Sequence, residues 1–138
     1  IGALEGADGR SMPEEVDVLA SRAGNGTLAV LVWRHTDDQY QTSQHEALAS
    51  ITMRNLPGRR FRVRHYRIDA DHSNSYTQWQ RIGSSQDPTA EQLAQITARQ
   101  GLEEFEPART VVADSGHVSI DVSLPLPAAS LLILEPTD

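Results

Sequence analysis

The sequence predicts an all-β domain: an antiparallel β-sandwich of about seven to eight strands, interrupted by one helix-containing insertion. Three observations lead there. Short runs of β-branched and aliphatic residues recur along the chain with turn residues between them. Two runs, Leu28 to Trp33 and Ala129 to Glu135, are apolar on both parities, as central strands are. Between them, the stretch from Asp69 to about Glu103 abandons the period of two and carries a helix start signal.

Residues 1–14 hold three glycines and a proline with no periodicity, which reads as a linker or an edge segment arriving from elsewhere. The opening Ile1-Gly2-Ala3-Leu4-Glu5 has neither an initiator Met nor a signal-peptide pattern, so the chain is expected to be a piece of a longer polypeptide. Residues 15–138 then read as the sandwich. Val16, Val18 and Ala20 alternate with Asp17 and Ser21, and Ala23-Gly24-Asn25-Gly26 supplies a hairpin turn into Thr27 to His35. Trp33, in that doubly apolar strand, is expected in the core. Thr36 to His45 is a polar connection, Ala47 to Met53 a strand, and Asn55-Leu56-Pro57-Gly58 a turn into Arg60 to Ile68. Phe61, Val63 and His65 share one face of that strand and Arg60, Arg62 and Arg64 the other; Ile68 breaks the parity, predicting a bulge or strand end near Tyr66.

In the insertion, Thr89 is the N-cap of a helix of about three turns, with Gln92 completing a capping box and Gly101 as its C-terminal glycine. Ser73 to Ile82 reads as another turn or two, with Tyr76 and Trp79 on one side. Thr110 to Ala113, a turn at Asp114-Ser115-Gly116, and His117 to Leu124 read as a hairpin, followed by the breaker Pro125-Leu126-Pro127 and the last strand.

Composition narrows function. The 138 residues, 38% hydrophobic, suffice for one domain with a core. The absence of cysteine removes disulfide and thiolate-metal frameworks and leaves the compartment open. The longest apolar run, Ala128 to Leu134, is strand-sized and far short of a bilayer span. Twelve basic against nineteen acidic residues give a net charge of -7, so neither nucleic acid nor an anionic membrane is an expected partner. The arginine cluster Arg59, Arg60, Arg62, Arg64 and Arg67 reads as a solvated sheet face or as a docking surface for an acidic neighbour.

The stretch Tyr66 to Trp79 is the richest in chemistry-bearing residues. Asp69, Asp71 and Ser73 occupy positions one, three and five of a calcium loop, but Asn74 falls where glycine is needed and Gln80 where a bidentate glutamate is needed. His72 has no histidine at ligand spacing, since His35, His45, His65 and His117 are scattered; a surface or interface histidine is the reading, and no metal or cofactor is expected. Ser73, His72 and Asp69 within one loop lack the freedom to build a triad. The carboxylates Glu14-Glu15 and Glu103-Glu104 with Glu106 are too close in sequence to straddle a glycosidic bond. Trp79, Tyr76 and Tyr40 make a thin platform for a sugar.

Tyr66-Arg67-Ile68-Asp69, His72-Ser73-Asn74-Ser75-Tyr76, Trp79, Gly83-Ser84-Ser85-Gln86 and Pro88-Thr89-Ala90-Glu91-Gln92, together with Val16 to Ala20 and Leu28 to Trp33, resemble the C-terminal accessory β-sandwich of glycoside hydrolase family 39, which includes β-xylosidases and α-L-iduronidases. Ser85 departs from the proline expected there. The resemblance implies a retaining (β/α)₈ barrel elsewhere, whose acid/base glutamate lies in an Asn-Glu-Pro motif. Glu106-Pro107 and Glu135-Pro136 lack the preceding Asn, so no catalytic residue is assigned and the chain alone is expected to be inactive. The expected partner is the barrel of the parent enzyme, with a xylo-oligosaccharide at the interface. Tyr66, Arg67, Asp69, His72, Asn74, Tyr76 and Trp79 are the candidates for the barrel interface or substrate entrance. An autonomous carbohydrate-binding module is the alternative.

Overall fold

The computed structural model describes residues 5–6, 15–38 and 40–137. Strands β1 (Glu5–Gly6), β4 (Ala47–Met53) and β7 (Val118–Leu124) form a three-stranded antiparallel sheet in the order β1-β4-β7. Strands β2 (Val16–Arg22), β3 (Leu28–Arg34), β8 (Ala128–Pro136), β5 (Arg60–Ile68) and β6 (Glu103–Val112) form a five-stranded antiparallel sheet in the order β2-β3-β8-β5-β6. The two sheets make a β-sandwich. Two helices, α1 (Ser75–Arg81) and α2 (Ala90–Thr97), lie between β5 and β6. Of the opening segment, only the Glu5–Gly6 strand is described; it pairs with Ser50 and Ala49, and the rest of the expected linker lies outside the described residues.

The core sits between the sheets and follows from alternation. Val118, Ile120, Val122 and Leu124 of β7 and Ala49 and Ile51 of β4 face Val30 and Val32 of β3, Leu132 and Leu134 of β8, and Phe61 and Val63 of β5. Gly26 closes the β2–β3 turn at φ 85°, a conformation that favours glycine, and a Cβ there would lie 3.1 Å from Pro136 Cγ.

Several expectations are corrected. Trp33 lies outside the core: β3 runs within the sheet but turns Val30 and Val32 inward, which sends Trp33 to the half-exposed outer face. The parity of β5 does not break at Ile68; alternation continues through a buried Arg67, and Ile68 points out. The irregularity is in its partner, where β6 places extra residues opposite β5 on both sides of the His65–Glu106 pair. Pro107, with no N–H to donate, sits in that bulged region of an edge strand, where it is tolerated. β6 begins at Glu103 rather than Thr110. The Asp114-Ser115-Gly116 turn exists, held by an Asp114–His117 bridge, but it links two sheets instead of closing a hairpin. Finally, α2 is two turns long and ends at Ala98; the glycine that caps a helix is Gly83, at φ 100° after α1, and Gly101 has no such role.

Candidate functional site

Beyond Val63, the inward side chains of β5 turn polar. His65 is 4% and Arg67 2% exposed, and the facing residue of β8, Ser130, is fully buried. Buried polar groups require partners, and these form one network. Arg67 Nε donates to Ser130 Oγ at 2.8 Å, Nη2 to the Ser123 carbonyl on the opposite sheet at 2.7 Å, and Nη1 to Asp69 Oδ2 at 3.4 Å. Its guanidinium lies 4.2 Å from the centre of the Phe105 ring. Arg34 of β3 makes a parallel crossing, donating to the Leu124 carbonyl at 3.2 Å and the His45 carbonyl at 2.9 Å, with Glu15 as its ion partner. Two arginines therefore span the sandwich and reach consecutive carbonyls of β7.

His65 binds Ser130 Oγ through Nε2 at 2.8 Å and Glu106 Oε1 through Nδ1 at 3.3 Å. Arginine only donates, so Ser130 Oγ accepts from Arg67 and shares a second hydrogen bond with His65 Nε2. The other ring nitrogen, Nδ1, faces the Glu106 carboxylate. Burial lowers the His65 pKa below its ordinary 6.5, against the hydrogen bond to the Glu106 carboxylate and with nearby Arg67 acting in the same direction as burial. Ser130, His65 and Glu106 have the connectivity of a Ser-His-acid triad. Yet Ser130 is sealed from solvent and its oxygen already receives an Arg67 hydrogen, so the group acts as a structural clamp.

Asp69 joins this core to the insertion. Its Oδ1 accepts from the backbone N–H of Asp71 and of His72 and pairs with His72 Nδ1, each at 2.8 Å. Burial pushes its pKa up, but the hydrogen bonds from His72 and from the Asp71 and His72 backbone outweigh this, and the carboxyl is held below its ordinary 3.8. Asn74 caps α1 by accepting from Thr77 N at 3.0 Å, while its Nδ2 donates to the Asp69 carbonyl at 3.0 Å. Ser73 closes the neck: its Oγ donates to the Arg67 carbonyl and accepts from Glu103 N, and its own N–H donates to the Glu103 carboxylate.

The seven candidates thus divide. Arg67 is buried, Asp69 nearly so, and Asn74 is half-buried in capping α1; all three bond within the chain. Tyr66 is half-buried on the outer face of the large sheet, with the Arg64 guanidinium 5.7 Å from its ring. His72 is partly exposed, its ring edge-on to Phe105 with 5.2 Å between the ring centroids. Tyr76 is 62% exposed. It pairs with Trp79 at 5.5 Å between centroids, and Trp79 Nε1 donates to the Ser85 carbonyl at 2.8 Å. No residue of either helix is buried, and Leu93, Leu102 and Phe105 are also exposed around the insertion. His65, Glu106, Phe105 and Ser130 were missed; the signal available was polar residues at inward parity on two apolar strands. Among the described residues, no group of three or more His, Asp or Glu side chains is placed to hold a metal ion. A shallow open cleft of about 380 Å³ lies beside Arg22, Asn25, Pro57 and Pro136, apart from this network.

These features define a two-sheet sandwich whose insertion is pinned at its base and open above. Solved structures share the fold. A bacterial orthologue of human α-L-iduronidase matches with a TM-score of 0.74 over 88% of this chain and 22% of its own, at 19% identity. The GH39 enzyme from Xanthomonas axonopodis pv. citri matches with a TM-score of 0.73, 87% and 26% coverage and 20% identity. A monomeric β-xylosidase from Caulobacter crescentus CB15 gives 0.67, 88%, 26% and 22%. The chain spans about a quarter of the length of these enzymes and has the fold of that portion of them. No protein-family model and no curated protein matches the sequence.

Proposed function

We propose that this chain is the non-catalytic accessory β-sandwich of an enzyme resembling a retaining β-xylosidase of family 39, bracing its (β/α)₈ barrel and shaping the active-site entrance. The observation that carries this is the fold match, which covers nearly all of this chain and about a quarter of glycoside hydrolases of that family. The insertion supports it: its base is fixed by Asp69, Ser73 and Glu103, while its outward residues Tyr76 and Leu93 stay exposed, as a docking element requires. His72 and Tyr76 are the residues that reach across to a substrate. Assay of the chain on aryl β-xylosides gives no turnover above background; a rate comparable to that of a whole enzyme sinks the proposal.

One observation favours a second reading, an autonomous carbohydrate-binding module: the stacked and exposed Tyr76–Trp79 pair on α1. Titration with xylo-oligosaccharides, followed by Trp fluorescence, separates the two. A saturable change favours the module, and a flat signal the docking domain.

A further inference from the structure

The β2–β3 turn holds the one Asn-Gly pair of the chain, Asn25-Gly26. An asparagine followed by glycine carries a reaction of its own, because the glycine nitrogen lies within reach of the asparagine Cγ and no side chain obstructs its approach. Once that nitrogen gives up its proton it bonds to Cγ, the Cγ–Nδ2 bond breaks, and Nδ2 leaves as ammonia with the proton. Water then opens the succinimide ring at either carbonyl. One opening gives aspartate; the other gives isoaspartate, with the main chain rerouted through Cβ and Cγ. Water is the only co-reactant.

In the folded chain both reacting groups are tied down. Gly26 N–H donates to the Ala23 carbonyl at 3.0 Å, which retains its proton, and Asn25 Oδ1 accepts from Thr27 N–H at 3.0 Å, which fixes the side-chain amide. Gly26 is buried at φ 85°, with Pro136 and Pro57 packed where a Cβ would lie, so its nitrogen is not free to swing toward Cγ. The support behind this lock is thin. β2 lies at the edge of the five-stranded sheet among the described residues, and Leu19 to Arg22 are all exposed. An edge strand that buries so little opens well below the free energy of global unfolding.

We propose that this turn is a conformation-gated modification site: Asn25 is inert while β2 is seated, converts to aspartate or isoaspartate when β2 opens, and as isoaspartate keeps β2 from seating again. The two products part for a geometric reason. Asp-Gly suits the same tight turn as Asn-Gly, so the aspartate product leaves the hairpin as it was. Isoaspartate lengthens the main chain inside the turn whose length sets the pairing of Arg22 with Leu28 and of every later pair in the β2–β3 ladder.

The test incubates the whole protein near neutral pH, folded and in urea, and follows the peptide around Asn25 by mass spectrometry and isoaspartyl methyltransferase labelling. Conversion is expected to be roughly tenfold or more faster in urea, because modification of an opened segment tracks the population of the open form. Equal rates in the two conditions overturn the gating, and no conversion in urea overturns the site. Val16→Ala, which strips β2 of its buried side chain, should raise the rate several-fold without denaturant; an unchanged rate shows that β2 opening is not the gate. The converted sample is then refolded, and amide exchange across 16–22 is compared with that of freshly prepared Asn25→Asp. Isoaspartate-containing molecules should exchange faster there, while Asn25→Asp matches the unmodified chain. Equal protection in the two overturns the claim that isoaspartate holds the strand open. Equal loss of protection in both assigns the effect to charge and overturns it as well.

Discussion

Arg67 carries a charge across the interior of the sandwich, and its partners come from β7, β8 and the loop that opens the insertion. Replacing it with Met removes the Arg67 donor from the Ser123 carbonyl, the Ser130 hydroxyl and Asp69 Oδ2. The expected cost is about 3–5 kcal/mol, the range for breaking a buried charged pair, read as a lower midpoint in urea unfolding. His65 adds a pH dependence. Its folded pKa lies below the unfolded value of 6.5, so the unfolded chain takes up the proton first as pH falls. Its contribution is full above about pH 6.5 and is lost as pH drops through the lower folded value. Asp69, also depressed, adds a second loss that starts near its ordinary 3.8. Thermal melts across pH 7 to 5 should show the first decline, and a His65→Gln variant, less stable throughout, should lack it. In the sequence, His65 shares a face with the apolar Phe61 and Val63, while Arg67 reads as one of the solvated or docking arginines, and their partners lie at 106, 123 and 130. Such a network exists only after four strands, β5 to β8, and a bulge have met.

Single elements show what local chemistry can and cannot announce. The bounds of β4 and β5 are those expected from alternation, because one face of each is buried and the period of two is kept. The start of β6 was hidden by acidic residues and Pro107 on an exposed, bulged edge strand. The capping box of α2 was legible since Thr89 and Gln92 satisfy each other's backbone locally. Its end was not, because Gly83 and Gly101 look alike in sequence and only Gly83 follows a helix closed by Gly83 N to the Gln80 carbonyl and Ser84 N to the Trp79 carbonyl. Neither helix buries a residue, so caps weigh heavily in this insertion. Thr89→Ala should cost about 1 kcal/mol, confined to α2. Hydrogen exchange should show faster amides in 90–97 with β5 and β8 unchanged; equal acceleration in the strands would contradict this independence. Gly83→Ala should speed exchange in α1, because alanine resists a φ of 100°.

At the scale of the whole molecule, the order of strands in space departs from their order along the chain. The chain passes between the sheets after β1, β3, β4, β6 and β7, and β8, the last of the strands, slots between β3 and β5. Local patterning predicted β2 to β8, β6 only at its C-terminal end, but had no means of stating this, and for the same reason it took the β6–β7 turn for a hairpin. The placement has a kinetic consequence. Until β8 is available, β3 and β5 each keep an unpaired edge, and the core lacks Leu132 and Leu134. The large sheet cannot zip up progressively during synthesis; it waits for its keystone and then closes in one late, long-range step. A version ending at Pro127 should therefore emerge with two sticky edges and sediment as aggregate, and supplying residues 128–136 as a separate peptide during refolding should return it to solution. Recovery without the peptide would show that the sheet can close by another route.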